Sequence, residues 1–366
     1  MASTILPGRL GHPEMSLSTD PRVHPKLLKA LETYGLHETS YLTPDMAPGA
    51  PLDTIRSFAL QNEEAIERLY NSLDYSLPEE KSSSNPLTIT QRLIPGPDGN
   101  DIKLIIYRPA TSDNATKLPA VLYFHGGGMI ILSTENPMHT SWAESLARTG
   151  LVVIIVDFRN AVSRGGASNP FPAGLKDCAT AVQWVDKHRD ELRISKLVLQ
   201  GESGGANLAF STTLLAKREG WLGAIDGVCG FVPYISGAYD LPLEWKLREL
   251  PSLVECDGYL ISCTTSALNA QLYDMGENTR NPLTWPYWAT EDDLRELPPH
   301  LIVTNELDPL RDEGNAYYKK LVKAGVRAVG KVNLGVIHSG DLFLRQTLPD
   351  LFQANLWELN RFAYRL

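Results

Sequence analysis

The strongest chemical signal in the chain is Gly201-Glu202-Ser203-Gly204-Gly205, which follows the apolar run KLVLQ and precedes the helix-patterned ANLAFSTTLLAKR. A serine at the apex of a tight strand-to-helix turn is pushed outward, and flanking glycines remove side chains that would collide with neighbouring backbone. The helix starting there aims its first N–H groups at the same point and favours developing negative charge. Ser203 is the candidate nucleophile for acyl transfer; the competing reading is a glycine-rich turn with a capping serine. His125-Gly126-Gly127-Gly128 follow the run AVLYF directly. Consecutive glycines let a backbone approach a ligand closely, so the N–H groups of Gly127 and Gly128, with that of Gly204, form a candidate oxyanion hole. A phosphate loop fits less well, because no Lys-Ser/Thr pair follows and the GxGxxG spacing is missing. His125 itself reads as a structural residue that fixes the loop.

A serine hydroxyl needs a base, and the base needs a carboxylate to orient it. The chain has eight histidines. His12, His24 and His37 lie in an N-terminal arm, His188 in a polar helix, His139 at a helix start, and His300 before a strand expected at the far edge of the sheet. His338, in LGVIHSGDLF, falls in a loop expected at the carboxyl end of the last strand and is the candidate base. Asp308 in HLIVTNELDPLRDEG falls where Pro309 stops a strand and is the candidate acid. Glu306 and Asp312 are its rivals. The order Ser203, Asp308, His338 is that of an α/β-hydrolase triad.

These residues need a frame. LTITQRLI and DIKLIIYRP around the turn-rich PGPDGN predict a hairpin. AVLYFHGGG, LVVIIVDF, KLVLQG, GVCGFVPY and HLIVTNELD are short apolar runs, most of them separated by helical patterns such as DCATAVQWVDKHRDEL. That alternation predicts an α/β fold with a mostly parallel central sheet flanked by helices. Upstream, Leu27, Leu28, Leu31 and Tyr34, then Ile55, Phe58, Ala59, Ile66, Leu69, Tyr70 and Leu73, recur at helical spacing, with Asp53 as the expected N-cap of the second helix. They predict an arm lying on the main body, joined by the linker PEEKSSSNP. Between Pro233 and Ala289 an aromatic-rich segment interrupts the alternation at the carboxyl end of a strand, where open α/β sheets place ligands. It reads as a second lid element, whose Trp245, Trp285 and Trp288 either shape an apolar substrate pocket or pack as the ordinary interior of a helical cap. The expected organisation is therefore residues 1–86 as N-terminal cap arm and linker, 87–232 as the first part of the catalytic core, 233–290 as a cap insertion, and 291–366 as the second part of the core.

HGGG, VDFRN with NPFPAGLKDC, GESGGANLA, ELDPLRDEG and VIHSGDLF together resemble the hormone-sensitive-lipase-like esterases over roughly residues 87–345. The resemblance implies an α/β-hydrolase with a helical cap formed partly by the N-terminus, acting on carboxylic esters of short to medium acyl chain without a cofactor or metal. It implies Gly127, Gly128 and Gly204 as oxyanion donors, Ser203 as nucleophile, and Asp308 and His338 as acid and base. The chain departs from the family pattern at Glu202, usually an aspartate, at Gly204, usually an alanine, at the long segment 157–166, and at Ser339-Gly340-Asp341 after the histidine. An amidase or peptidase with the same triad is the enzymatic alternative. A small-ligand receptor on the same fold is the other, although such receptors lack the histidine.

The 366 residues carry 34 Lys plus Arg against 43 Asp plus Glu, a net charge of −9, the wrong sign for holding nucleic acid. Hydrophobic residues make up 43% and charged residues 21%, a globular balance without disordered or fibrous character. No apolar run approaches the ~20 residues needed to span a bilayer, and no secretory signal is visible, so a cytoplasmic location is expected. Cys178, Cys229, Cys256 and Cys263 show no metal-ligand spacing and read as reduced. The expected state is a monomer or homodimer acting on a small-molecule ester.

Overall fold

The eight strands of the sheet are β1 (Leu87–Pro95), β2 (Asp101–Pro109), β3 (Leu118–Phe124), β4 (Val152–Asp157), β5 (Ile194–Glu202), β6 (Gly227–Phe231), β7 (His300–Asn305) and β8 (Ala328–Asn333). A computed structural model describes residues 6–38, 46, 49–77, 86–110 and 116–366. The strand order is β1-β2-β4-β3-β5-β6-β7-β8. The hairpin β1/β2 runs antiparallel onto β4, and every pairing from β4 through β3 to β8 is parallel. The predicted α/β class with a mostly parallel sheet is the fold observed.

Alternation along the strands separates two cores. Ala120, Leu122 and Phe124 of β3, with Val152, Ile154 and Val156 of β4, face one side. Val121 and Tyr123, with Val153 and Ile155, face the other. Successive side chains leave a strand on opposite faces, so continuous apolar runs require cover on both. The relevant helices are α1 (Pro25–Thr33), α2 (Leu52–Ser72), α3 (Pro137–Arg148), α4 (Ala173–Lys187), α5 (Gly204–Glu219), α6 (Leu243–Glu249), α7 (Cys263–Asp274), α8 (Arg311–Lys323) and α9 (Pro349–Tyr364). α4, α5 and α8 supply Val182, Phe210 and Tyr317 to the first core. α1, α3 and α9 supply Leu27, Trp142 and Phe352 to the second.

Two local expectations need adjusting. α2 starts at Leu52 after Pro51, which takes the N-cap position, so Asp53 lies inside the first turn rather than capping it. His300 is the first residue of β7, which is one strand in from the edge strand β8. Residues 78–85 of the expected linker lie outside the described residues. All four cysteines are free and buried. Among the described residues no helix is long and apolar enough to cross a membrane.

Candidate active site

Parallel pairing brings the carboxyl ends of β5, β6, β7 and β8 to one edge of the sheet. Ser203 stands between β5 and α5 with φ 55° and ψ −119°. A non-glycine residue rarely adopts that conformation, and it persists only where surroundings enforce it. Here Ser203 N–H donates to Phe231 O at 2.9 Å and its carbonyl accepts from Tyr234 N at 3.2 Å. A Cβ on Gly205 would lie 1.9 Å from Phe124 O, and one on Gly201 would lie 2.1 Å from the Gly205 carbonyl carbon. Both flanking positions therefore require glycine. From Leu197 to Leu214 every residue is buried except Ser203, so the turn exposes only this side chain toward solvent.

The glycine loop after β3 turns through positive φ at Gly127 (105°), Gly128 (64°) and Met129 (63°). It packs directly on the start of α5: a Cβ on Gly204 would stand 2.6 Å from Met129 N and 2.8 Å from Gly128 N and Cα. With the loop placed as it is in this chain, a Cβ here would force it to shift. Gly204→Ala is expected to push the loop outward, displace its N–H groups, and lower kcat for a short nitrophenyl ester about 10- to 100-fold, less than the ~10²–10³ of deleting a donor outright. Steady-state kinetics beside a thermal melt checks this; wild-type kcat in the variant would mean that the loop yields freely.

Behind the loop, Gly126 N–H donates to Glu202 Oε1 at 2.6 Å, and Glu202 is 1% exposed. Burial pushes this carboxyl up to about 8, opposed by the Tyr123 hydroxyl and the Gly126 N–H. His125 is fully buried, donates from Nδ1 to Gly126 O at 2.7 Å, and stacks on Phe158 at 4.4 Å and on His139 at 5.0 Å. Burial depresses its basicity to about 4.

Asp308 and His338 are brought together: His338 Nδ1 donates to Asp308 Oδ2 at 2.8 Å. The other carboxylate oxygen of Asp308 accepts from Leu310 N at 2.9 Å. Asp308 is fully buried and His338 is 8% exposed. The rival carboxylates are engaged elsewhere. Glu306 Oε2 accepts from Gly335 N at 2.7 Å, while Asp312 accepts from Ser252 N at 2.7 Å and pairs with Arg311 at 3.0 Å.

Parts of α2 and of the segment between Pro233 and Ala289 reach this edge. Glu63 of α2 accepts from Leu132 N at 2.8 Å, just beyond the glycine loop, and pairs with Arg164 at 2.8 Å. The segment Ala161–Val162 donates its N–H groups to Met129 O and Ile130 O. Asn207 of α5 donates to Tyr234 O at 3.1 Å and Thr284 O at 2.9 Å, tying both ends of the aromatic segment to the helix that follows Ser203. Within that segment Trp285 is fully buried, donates to Asp274 at 2.8 Å, and packs edge-on against Tyr234, Tyr239 and Tyr273. Trp245 and Trp288 are half-buried, pack on each other at 6.0 Å, and Trp288 borders a groove of about 410 Å³ lined also by Thr290, Lys319 and Lys323. The contacts of Glu63, Arg164 and Asn207 carry no sequence signal of their own, because each joins segments remote along the chain.

The family profile described as alpha/beta hydrolase fold matches residues 121–341. A solved brefeldin A esterase, described as a bacterial homologue of human hormone sensitive lipase, superposes with a TM-score of 0.94 at 44% identity, covering 98% of each chain. This chain belongs to the hormone-sensitive-lipase-like esterases of the α/β-hydrolase fold. The solved esterase Est22 gives a TM-score of 0.81 at 31% identity over 96% of this chain and 100% of its own. Carboxylesterase NlhH of Mycobacterium tuberculosis is 32% identical over 248 residues, 66% of this chain and 71% of that protein. Esterase LipI of the same species is 29% identical over 243 residues, again 66% and 71%.

Proposed function

We propose that this esterase hydrolyses carboxylic esters of short to medium acyl chain through Ser203, His338 and Asp308. His338, oriented through Nδ1 by Asp308, takes the Ser203 proton from the other ring nitrogen as the oxygen attacks the ester carbonyl. The N–H groups of Gly127, Gly128 and Gly204 receive the oxyanion. His338 returns the proton to the departing alcohol, and water then attacks the acyl-enzyme under the same base. No metal or organic cofactor enters any step. In this reading Trp245, Trp285 and Trp288 shape the apolar wall of the cleft, Trp285 from behind Tyr234. The enzyme acts as a cytoplasmic monomer or homodimer on a small-molecule ester, with no nucleic-acid partner.

The observation that carries the reading is the 2.8 Å contact between His338 and Asp308 at the sheet edge that also presents Ser203. A small fluorophosphonate is expected to add once, on Ser203, by peptide mass spectrometry. Nitrophenyl esters are expected to turn over faster with acetyl and butyryl groups than with palmitoyl. Modification elsewhere, or preference for the longest chain, would reject the corresponding half of the proposal.

A further inference from the structure

The base sits in a turn that is pinned from an unexpected direction. Asn305, the last residue of β7, is fully buried and lies opposite Asn333 in the β7/β8 register. Its side-chain amide donates to Ile337 O at 2.7 Å and to Asp341 Oδ1 at 2.8 Å. Its Oδ1 accepts from Asn333 Nδ2 at 2.9 Å. Asp341 Oδ2 accepts from Asn355 Nδ2 at 2.8 Å, and Asn355 Oδ1 accepts from Lys331 Nζ at 2.7 Å. Asp341 and Asn333 are each 2% exposed and Asn355 is fully buried.

Two features make this more than packing. The amide of Asn305 grips the residue just before His338 and the carboxylate three residues after it, so the turn is held on both sides of the imidazole. Asn305 also lies three residues before Asp308, on the strand that delivers the acid. One side chain thus fixes the base-bearing turn relative to the acid-bearing segment. Its orientation is not free: with both donors and the acceptor engaged, a flipped amide would set its oxygen against Ile337 O and Asp341 Oδ1. In a buried network each lost partner leaves an unsatisfied group, so the arrangement is rigid.

We propose that Asn305, together with the Asp341 carboxylate it holds, is the positioning residue for the catalytic imidazole, setting the His338 turn against Asp308. The assignment rests on the reading of His338 as the base. It also gives Asp341, where the chain departs from the family pattern after the histidine, a defined role.

The test compares N305D, D341N and H338Q with the unaltered chain, using kinetics on nitrophenyl acetate and the low-field proton spectrum. N305D keeps the shape but replaces two donors by a carboxylate facing Asp341. The His338 Nδ1–H bonded to Asp308 is expected to give a low-field resonance, assigned by its loss in H338Q. In N305D, shown folded by a cooperative melt, that resonance should disappear and kcat fall about 100-fold, with KM within about threefold. In D341N, which keeps the fold more readily, the resonance should shift and kcat fall about 10-fold. A folded N305D or D341N with the resonance in place and unaltered kcat overturns the proposal. An H338Q protein with full kcat overturns the reading of the base instead, while the N305D spectrum still reports whether Asn305 places the ring.

Discussion

Ser203→Ala is expected to lower kcat/KM for nitrophenyl acetate by about 10⁴–10⁶ and to abolish the fluorophosphonate adduct, with the melting temperature within a few degrees of the unaltered chain. Loss of a serine nucleophile from an intact triad elsewhere costs about 10⁶, because the remaining members have nothing to activate. The stability half follows from the backbone. The strained turn is held by the Ser203 N–H bond to Phe231 and by glycines that fit against Phe124 and each other, and none of these contacts uses the hydroxyl. Alanine is therefore accommodated in the same geometry. Steady-state kinetics, intact-protein mass and a thermal melt on the same preparation check both halves. A folded Ser203→Ala protein that still turns over the ester would remove the nucleophile from the account.

How much of this could be read from the chain depends on how local each determinant is. The turn at Ser203 was legible because its chemistry is written in five consecutive residues whose glycines answer to contacts within the same strand-turn-helix unit. Asp308 and His338 were legible through a topological regularity, since strand ends in a parallel sheet collect at one edge. Asp53 shows the opposite case: the cap rule was satisfied in sequence, yet Pro51, two residues earlier, took the N-cap position. The aromatic segment was legible as an interruption of the βα alternation but not as individual contacts. Composition does not distinguish a tryptophan facing a cleft from Trp285, whose ring lies within 2.7 Å of where a Cβ on Gly237 would sit. The Asn305, Asp341 and Asn355 cluster was not legible at all, because asparagines and aspartates at such separations along a chain are ordinarily turn or surface residues. Only the fold puts them in one buried network, beside the turn that carries the imidazole.

The second large effect concerns two histidines that a motif reading alone could confuse. His338→Ala is expected to cost about 10³–10⁵ in kcat/KM at unchanged fold, because the nucleophile then loses the base that removes its proton. His125→Ala is expected to act through structure. Its ring is fully buried between Phe158 and His139, and its one hydrogen bond goes to Gly126 O, so truncation opens a cavity and frees the root of the glycine loop. Large-to-small changes of an aromatic in a core cost about 3–5 kcal/mol, and the loop's displaced donors add a loss in rate of about 10-fold. Burial also holds His125 neutral down to about 4, so it carries no titrating charge in the range where an esterase is assayed. His125→Phe retains the stacking surface and should recover most of the stability while leaving the carbonyl of Gly126 unpaired. Denaturant unfolding and kcat/KM on the three variants separate the roles: His338→Ala should be stable and inactive, His125→Ala unstable and partly active. Well-folded His125 variants as inactive as His338→Ala would place the ring of His125 in the chemistry rather than behind the loop.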